Sequence, residues 1–276
     1  VAVTPIVSAV ARSNQPESFF LLFIALALHR AVIALQTGSR KQLIYAGLFV
    51  AGAFQMYMIE AWTIWPALII AWFSLKNKKF ITKIVDLAIA GSIGLVASLT
   101  WVFIALLTPA DSRPYIGGTY TNSPIEMVFG YNALGRFGQS GSSTYRSFTP
   151  PFSGSAGWLR LFNEQVAGQI AWFIVAAVIA LILLIIRRQF DSVILFAGLT
   201  FAIFYAEFSL VAGMHQFYTA ALALPIALIF AYLWSVAKPW MLVSVGAATV
   251  ASQVVIGSIY SGYFSFMPYL AAIALA

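Results

Sequence analysis

Thr108–Glu164 reads TPADSRPYIGGTYTNSPIEMVFGYNALGRFGQSGSSTYRSFTPPFSGSAGWLRLFNE, the one long polar interruption in a chain that is otherwise almost unbroken hydrocarbon. Loops longer than ~12–15 residues are functional or disordered. Disordered segments are poor in aromatics, whereas this one carries Tyr115, Tyr120, Phe129, Tyr131, Phe137, Tyr145, Phe148, Phe152, Trp158 and Phe162. Arg113, Arg136, Arg146 and Arg160 lie between them, with Asn122, Asn132 and several glycines. Guanidinium groups grip phosphate in fork geometry, aromatic faces stack on sugar rings, and glycine lets backbone approach a ligand. Composition leaves two readings level: a cap over helix ends, or a ligand-binding loop.

Outward from this stretch, 62% of the chain is hydrophobic and only 8% charged, against about 25% charged in an ordinary soluble domain. Several runs approach the ~20 apolar residues that cross a bilayer, and the ten-residue alternation of an outer-membrane barrel is absent. The fold class is therefore an all-α, multi-spanning transmembrane bundle, one domain over residues 1–276 with residues 108–165 inserted as an extracytoplasmic loop. Without cysteine there is no disulfide or thiol chemistry. The net charge of +7 follows membrane topology and does not imply nucleic-acid binding. The chain begins at Val1 in one apolar run and stops in another, PYLAAIALA, and is read as an internal fragment.

In order, Val1–Ala11 looks like the tail of a membrane helix, and Arg12–Glu17 is a turn because Pro16 disfavours helix before it. Phe19–Leu35 is the first full span, with His29 and Arg30 snorkelling toward headgroups near its end. Leu43–Leu75 leaves one basic loop and arrives at another, Lys76–Lys79, so it suits a hairpin of two short helices turning near Met58–Trp62. Spans follow at Ile84–Leu107, Gly168–Ile186, Val193–Ala212, Phe217–Val236 and Met241–Ile259, and another starts at Met267. On this path Arg40, Lys41, Lys76, Lys78, Lys79, Lys83, Arg187, Arg188 and Lys238 share one side in short loops, which marks that side as cytoplasmic. Asp86 and Asp191 read as surface partners of Lys83 and Arg188.

On the other side the polar groups converge. Arg12, Asn14 and Glu17 lie in one turn, Glu60 in a second, the arginine-aromatic loop in a third, and His215 with Tyr218 in a fourth. Carboxylates and histidine serve as general bases. Glu17 in a first helical turn is equally placed to favour the helix dipole, Glu60 to be solvated at the interface, and His215 to be an interfacial histidine. Glu207 lies inside a span, where an acid is by default a functional residue. There is no GxxxxGK[ST], HExxH, GxSxG or CxxC, so no motif in this stretch of chain points to nucleotide hydrolysis.

Four segments carry a family resemblance. TPIVSAVARSNQPESFF resembles the TPxxxAxxRxNxPDxxL segment of polyprenyl-phosphate-sugar-dependent glycosyltransferases of the GT-C class, the protein mannosyltransferase-like superfamily (glycosyltransferase family 39). AGAFQMYMIEAWTIWPAL resembles that family's GxxFxxKMLQAxxxLPAL hairpin, and MHQFYTAALALPIALI its HPYYTxALAPAIAAL. TPADSRPYIGGTYTNSPIEMVFGYNALGR is similar to TPxxxRPYIGGSxxNSxxxLxFGYNGLGR, the outer loop of a bacterial subgroup like the lipid A aminoarabinose transferases. The resemblance implies a lipid-phosphate-linked sugar as donor, a lipid or cell-envelope polymer as acceptor, and inverting transfer on the outer face of the cell membrane. It puts Glu17 at the family's acidic position, as catalytic residue, with Glu in place of the commoner Asp. Arg113, Tyr115, Asn122, Tyr131, Asn132 and Arg136 match the loop, and His215 and Tyr218 match HPYYT. Arg12, Asn14 and Glu60 complete the expected substrate-binding set. Tyr57 stands where the hairpin has Lys, removing a phosphate contact, and Gln216 replaces a proline. The family's principal catalytic acid is expected upstream of Val1. Such sites can take a divalent metal, although nothing here has ligand spacing. The competing readings are a secondary transporter using Glu207 and His215, and a non-catalytic envelope scaffold.

Overall fold

The computed structural model describes residues 1–137 and 153–260. Seven of its helical segments are long and apolar enough to cross a membrane, and no strand occurs among the described residues. The chain divides into two compact units.

The first unit comprises Val1–Asn14, Phe152–Leu210 and His215–Ala276. It begins with α1, Pro5–Ala11, started by Pro5 in the first turn after an extended Thr4. Proline suits that position because its missing N–H would have no partner there. A fresh start at Pro5 corrects the expectation that Val1–Ala11 is the tail of a longer helix. Its spans are a wide π-turn at Ala167–Ala171 running into α7 (Trp172–Ile186), α8 (Ser192–Leu210), a 3₁₀ turn Gln216–Leu222 running into α9 (Ala223–Val236), and α10 (Pro239–Ile259). Asp191 accepts from the backbone N–H groups of Val193 (2.8 Å) and Ile194 (3.1 Å). It therefore caps α8, which corrects its expected pairing with Arg188: free helix-start donors two and three residues on are its neighbours. The expected helix from Met267 lies outside the described residues.

The second unit comprises Gln15–Pro151 and Val211–Met214. Helix α2 (Glu17–Thr37) ends at Gly38, whose φ of 66° is the left-handed cap that glycine adopts freely. Ser39 accepts from the Gln42 N–H and starts α3, Arg40–Tyr57. After it come a 3₁₀ turn Met58–Thr63, α4 (Ile64–Phe73) and α5 (Phe80–Leu107). Helix α3 rises about 27 Å at ~1.5 Å per residue, and the 3₁₀ turn with α4 returns about the same distance. The two limbs form the expected hairpin. Its ends are tied at Asp86 of α5, which binds Arg40 at 2.5 Å from the start of α3 and Lys78 from the loop after α4. Asp86 is only 1% exposed, so it is a buried clasp. This corrects the expected surface pair with Lys83, whose ammonium instead donates to the Phe73 carbonyl at 2.7 Å. Lys78 also donates to the carbonyl of Gly38. One end of this unit thus gathers Arg40, Lys41, Lys76, Lys78, Lys79 and Lys83.

Helices α3 and α5 meet through small residues. A methyl on Gly47 would lie 3.0 Å from the Ala90 carbonyl, and one on Gly94 3.1 Å from that of Gly47, the close backbone approach that membrane helices favour. The remaining face of α5, with Ile81, Val96, Phe103 and Ile104 all more than half exposed, suits hydrocarbon.

The polar stretch is not loop throughout. Glu126–Leu134 forms a wide π-helical segment that continues into a short α6, Gly135–Phe137. Gly130 and Gly135 had concealed it. Tyr145, Arg146 and Phe148 lie outside the described residues.

Candidate functional site

At the end of the second unit away from its basic loops, the break in the hairpin meets the start of α2. Met58 has φ 49° and ψ −123°, a positive-φ conformation that costs a non-glycine residue about 1–3 kcal/mol. That turn ends α3 and leaves Tyr57 beside Glu17. The Tyr57 hydroxyl donates to Glu17 Oε1, and its ring packs edge-on against Phe20, 5.3 Å between centroids. Glu17 is 2% exposed, and its Oε2 is buried with no hydrogen-bond partner. A lone carboxylate oxygen out of water is costly, so a ligand that supplies a donor there gains what the protein withholds.

The π-helical segment approaches the same hairpin. Asn132 Nδ2 lies 3.0 Å from Met58 Sδ and donates to the Met127 carbonyl at 2.9 Å. Asn132 Oδ1 lies 3.5 Å from Arg136 Nη2. Arg136 Nη1 donates to the Gly213 carbonyl at 2.8 Å, and its guanidinium sits 5.2 Å from the Tyr131 ring centre. The Tyr131 ring in turn covers Gly118, where a methyl would lie 3.0 Å from it. Gly118 has φ 80°, so both the turn and the contact require glycine. Glu17, Tyr131, Asn132 and Arg136 are thereby joined through Tyr57 and Met58, which lie outside the set of site residues expected from the sequence. Tyr57 was legible as a departure from the hairpin pattern. Met58 carried no signal.

Other residues of the stretch fasten it. Arg113 Nη1 donates to the carbonyls of Ala105 (2.6 Å) and Thr108 (3.1 Å), satisfying the end of α5 where helical partners run out. Asn122, at φ 54°, accepts from the Ile116 N–H at 2.7 Å and donates to the Ala110 carbonyl at 2.9 Å. Tyr115, largely exposed, donates to the Thr119 carbonyl. Glu126 accepts from the N–H groups of Tyr120 (2.8 Å) and Thr121 (3.0 Å) and from the Thr121 hydroxyl (2.7 Å). Those donors hold its carboxyl below the usual carboxylate range, the Thr121 hydroxyl contributing most. Glu60 lies half-buried in the 3₁₀ turn.

In the first unit, Arg12 and Asn14 are exposed in the turn after α1. His215 stacks on Phe217 at 4.8 Å and meets Tyr218 edge-on at 5.4 Å. Glu207 is half-buried in the last turn of α8. Arg160, 4% exposed, donates to the carbonyls of Ser155 (3.0 Å) and Phe208 (3.3 Å). Burial draws its pKa below the ordinary arginine value. It treats α8 as Arg113 treats α5. Among the described residues, no group of three or more His, Asp or Glu is placed to hold a metal ion.

The helices and their apolar faces define a multi-pass, all-α membrane protein. Residues 1–103 match the family described as dolichyl-phosphate-mannose-protein mannosyltransferase. The chain is 36% identical over 136 residues to "Putative mannosyltransferase YkcB" of Bacillus subtilis (strain 168), covering 49% of this chain and 19% of that protein. It is 31% identical over 141 residues to "Putative mannosyltransferase YycA" of the same organism, covering 51% and 21% respectively. The chain spans about a fifth of the length of these relatives. These matches support the protein-mannosyltransferase-like resemblance drawn from the sequence. No solved structure matches the chain.

Proposed function

We propose that this chain is part of a membrane glycosyltransferase that moves a sugar from a polyprenyl-phosphate donor to a cell-envelope acceptor on the outer face of the membrane. The observation that carries this reading is the gathering of Glu17, Tyr57, Asn132 and Arg136 at the end of their unit opposite its lysines. Six basic residues at the other end support a cytoplasmic position for it. The match of residues 1–103 to a mannosyltransferase family supports the reaction class.

In this reading an acceptor hydroxyl attacks the anomeric carbon from the face opposite the phosphate. The new C–O bond forms as the bond to phosphate oxygen breaks, and polyprenyl phosphate departs with the electron pair. The hydroxyl proton passes to a carboxylate, for which this chain offers Glu17, whose buried Oε2 has no hydrogen-bond partner. Negative charge growing on the phosphate is met by the positive charge of Arg136, whose guanidinium the Gly213 carbonyl holds in place. Tyr131 and Asn132 hold that guanidinium, while Arg113, Tyr115 and Asn122 keep the surrounding turn in place. Arg12, Asn14, Glu60, His215 and Tyr218 are the remaining proposed substrate contacts.

The test uses the full-length protein in proteoliposomes supplied with polyprenyl-phosphate sugars and an envelope acceptor fraction. Release of polyprenyl phosphate coupled to sugar transfer is expected, cut about tenfold or more by Arg136→Lys, the scale of a lost charge-assisted contact. Folded protein that releases no polyprenyl phosphate from any such donor overturns the proposal.

A further inference from the structure

We propose that the basic end of α2 and α3 holds the phosphate of an anionic membrane lipid, at a site formed by Arg30, Lys41 and Tyr45. Arg30 lies eight residues before the Gly38 cap, about 12 Å inside the helix end at ~1.5 Å per residue. Its side chain reaches across to α3, where Nη1 donates to Gln42 Oε1 at 3.2 Å. Its guanidinium carbon is 5.7 Å from the centre of the Tyr45 ring, and Lys41 Nζ is 5.8 Å from the same centre. Two cations thus converge on one aromatic ring at the depth where tyrosine anchors to headgroups.

Among the described residues neither cation has a counter-ion, and the acid at this end, Asp86, is occupied by Arg40 and Lys78. Arg30 Nε is buried and makes no hydrogen bond. A guanidinium held partly out of water with an unused donor calls for an anion with more than one acceptor oxygen. A lipid phosphodiester is the anion that a bilayer presents at this depth, and basic clefts between membrane helices recognise such headgroups.

The whole protein is purified in mild detergent, incubated with phosphatidylglycerol or phosphatidylcholine, and weighed intact by native mass spectrometry. Phosphatidylglycerol retained over phosphatidylcholine is expected. Arg30→Gln with Lys41→Gln weakens retention about fivefold per charge removed, about 25-fold together. Lys76→Gln, a basic control away from the ring, leaves it unchanged. If the double variant does not fold, exposed Lys41→Gln alone is expected to give the fivefold loss. Equal retention of both lipids, undiminished retention in the variants, or displacement by inorganic phosphate alone overturns the site.

Discussion

The hydroxyl of Tyr57 donates to the carboxylate of Glu17, forty positions earlier in the chain, and this one bond ties the break in a membrane hairpin to the first turn of the preceding helix. Glu17 is buried and Tyr57 half-buried, and the second carboxylate oxygen is left without a partner.

Tyr57→Phe keeps the ring that packs on Phe20 and removes only the donor. Glu17 then has neither oxygen satisfied, at a cost of about 1–3 kcal/mol. Unfolding by denaturing detergent reads the loss, and pairing the change with Glu17→Gln recovers part of it. Equal stability of Tyr57→Phe and the parent protein counts against the bond.

Asp86→Asn unties Arg40 and Lys78 together. Breaking a buried ion pair costs about 3–5 kcal/mol. Solvent around the 44%-exposed Arg40 screens part of that, so a loss near the low end of this range is expected in the same unfolding measurement. Lys83→Met, which touches neither salt bridge, leaves the clasp in place.

Sequence spacing had joined Asp86 to Lys83 because residues three apart on a helix are neighbours. The actual partners come from the start of α3 and the loop after α4, brought together by the hairpin, and no local pattern announces them. The hairpin itself was legible, because a stretch too long for one span had lysines at both ends. Its pivot was legible too, near Met58–Trp62 where the 3₁₀ turn Met58–Thr63 forms, but the positive φ of Met58 has no compositional mark, and glycine-rich FGYNALGR looked like loop where a π-helical segment forms. Of the site, Glu17, Asn132 and Arg136 were visible through motif resemblance, whereas Tyr57 registered only as a missing lysine.

Glu126 predicts a pH dependence for the turn at Tyr120 and Thr121. Its folded carboxyl titrates below its unfolded value, so the stabilisation is present above the unfolded pKa and is lost as pH falls through the folded one. Hydrogen-exchange protection of the Tyr120 and Thr121 amides should hold at neutral pH and collapse in acid below the usual carboxylate range. Glu126→Gln should flatten that dependence. Protection that persists unchanged through acid in the parent protein contradicts the assignment.

Sidedness is readable because the chain has no cysteine. Single cysteines at exposed Lys76 and exposed Ser112 are expected to differ toward an impermeant thiol reagent in intact cells. Ser112→Cys should label and Lys76→Cys should not. The reverse pattern would invert the topology and with it the proposed outer site.

The central claim, that Glu17 stands in the reacting centre of a sugar transferase, is tested most directly by Glu17→Gln in the full-length protein. The measurement is the initial rate of sugar transfer from a polyprenyl-phosphate donor at saturating concentration, beside melting of the same samples. Loss of a general base predicts a rate lower by about a hundredfold or more, with melting close to that of the parent and donor binding retained. Transfer at the parental rate by the folded variant would contradict the account.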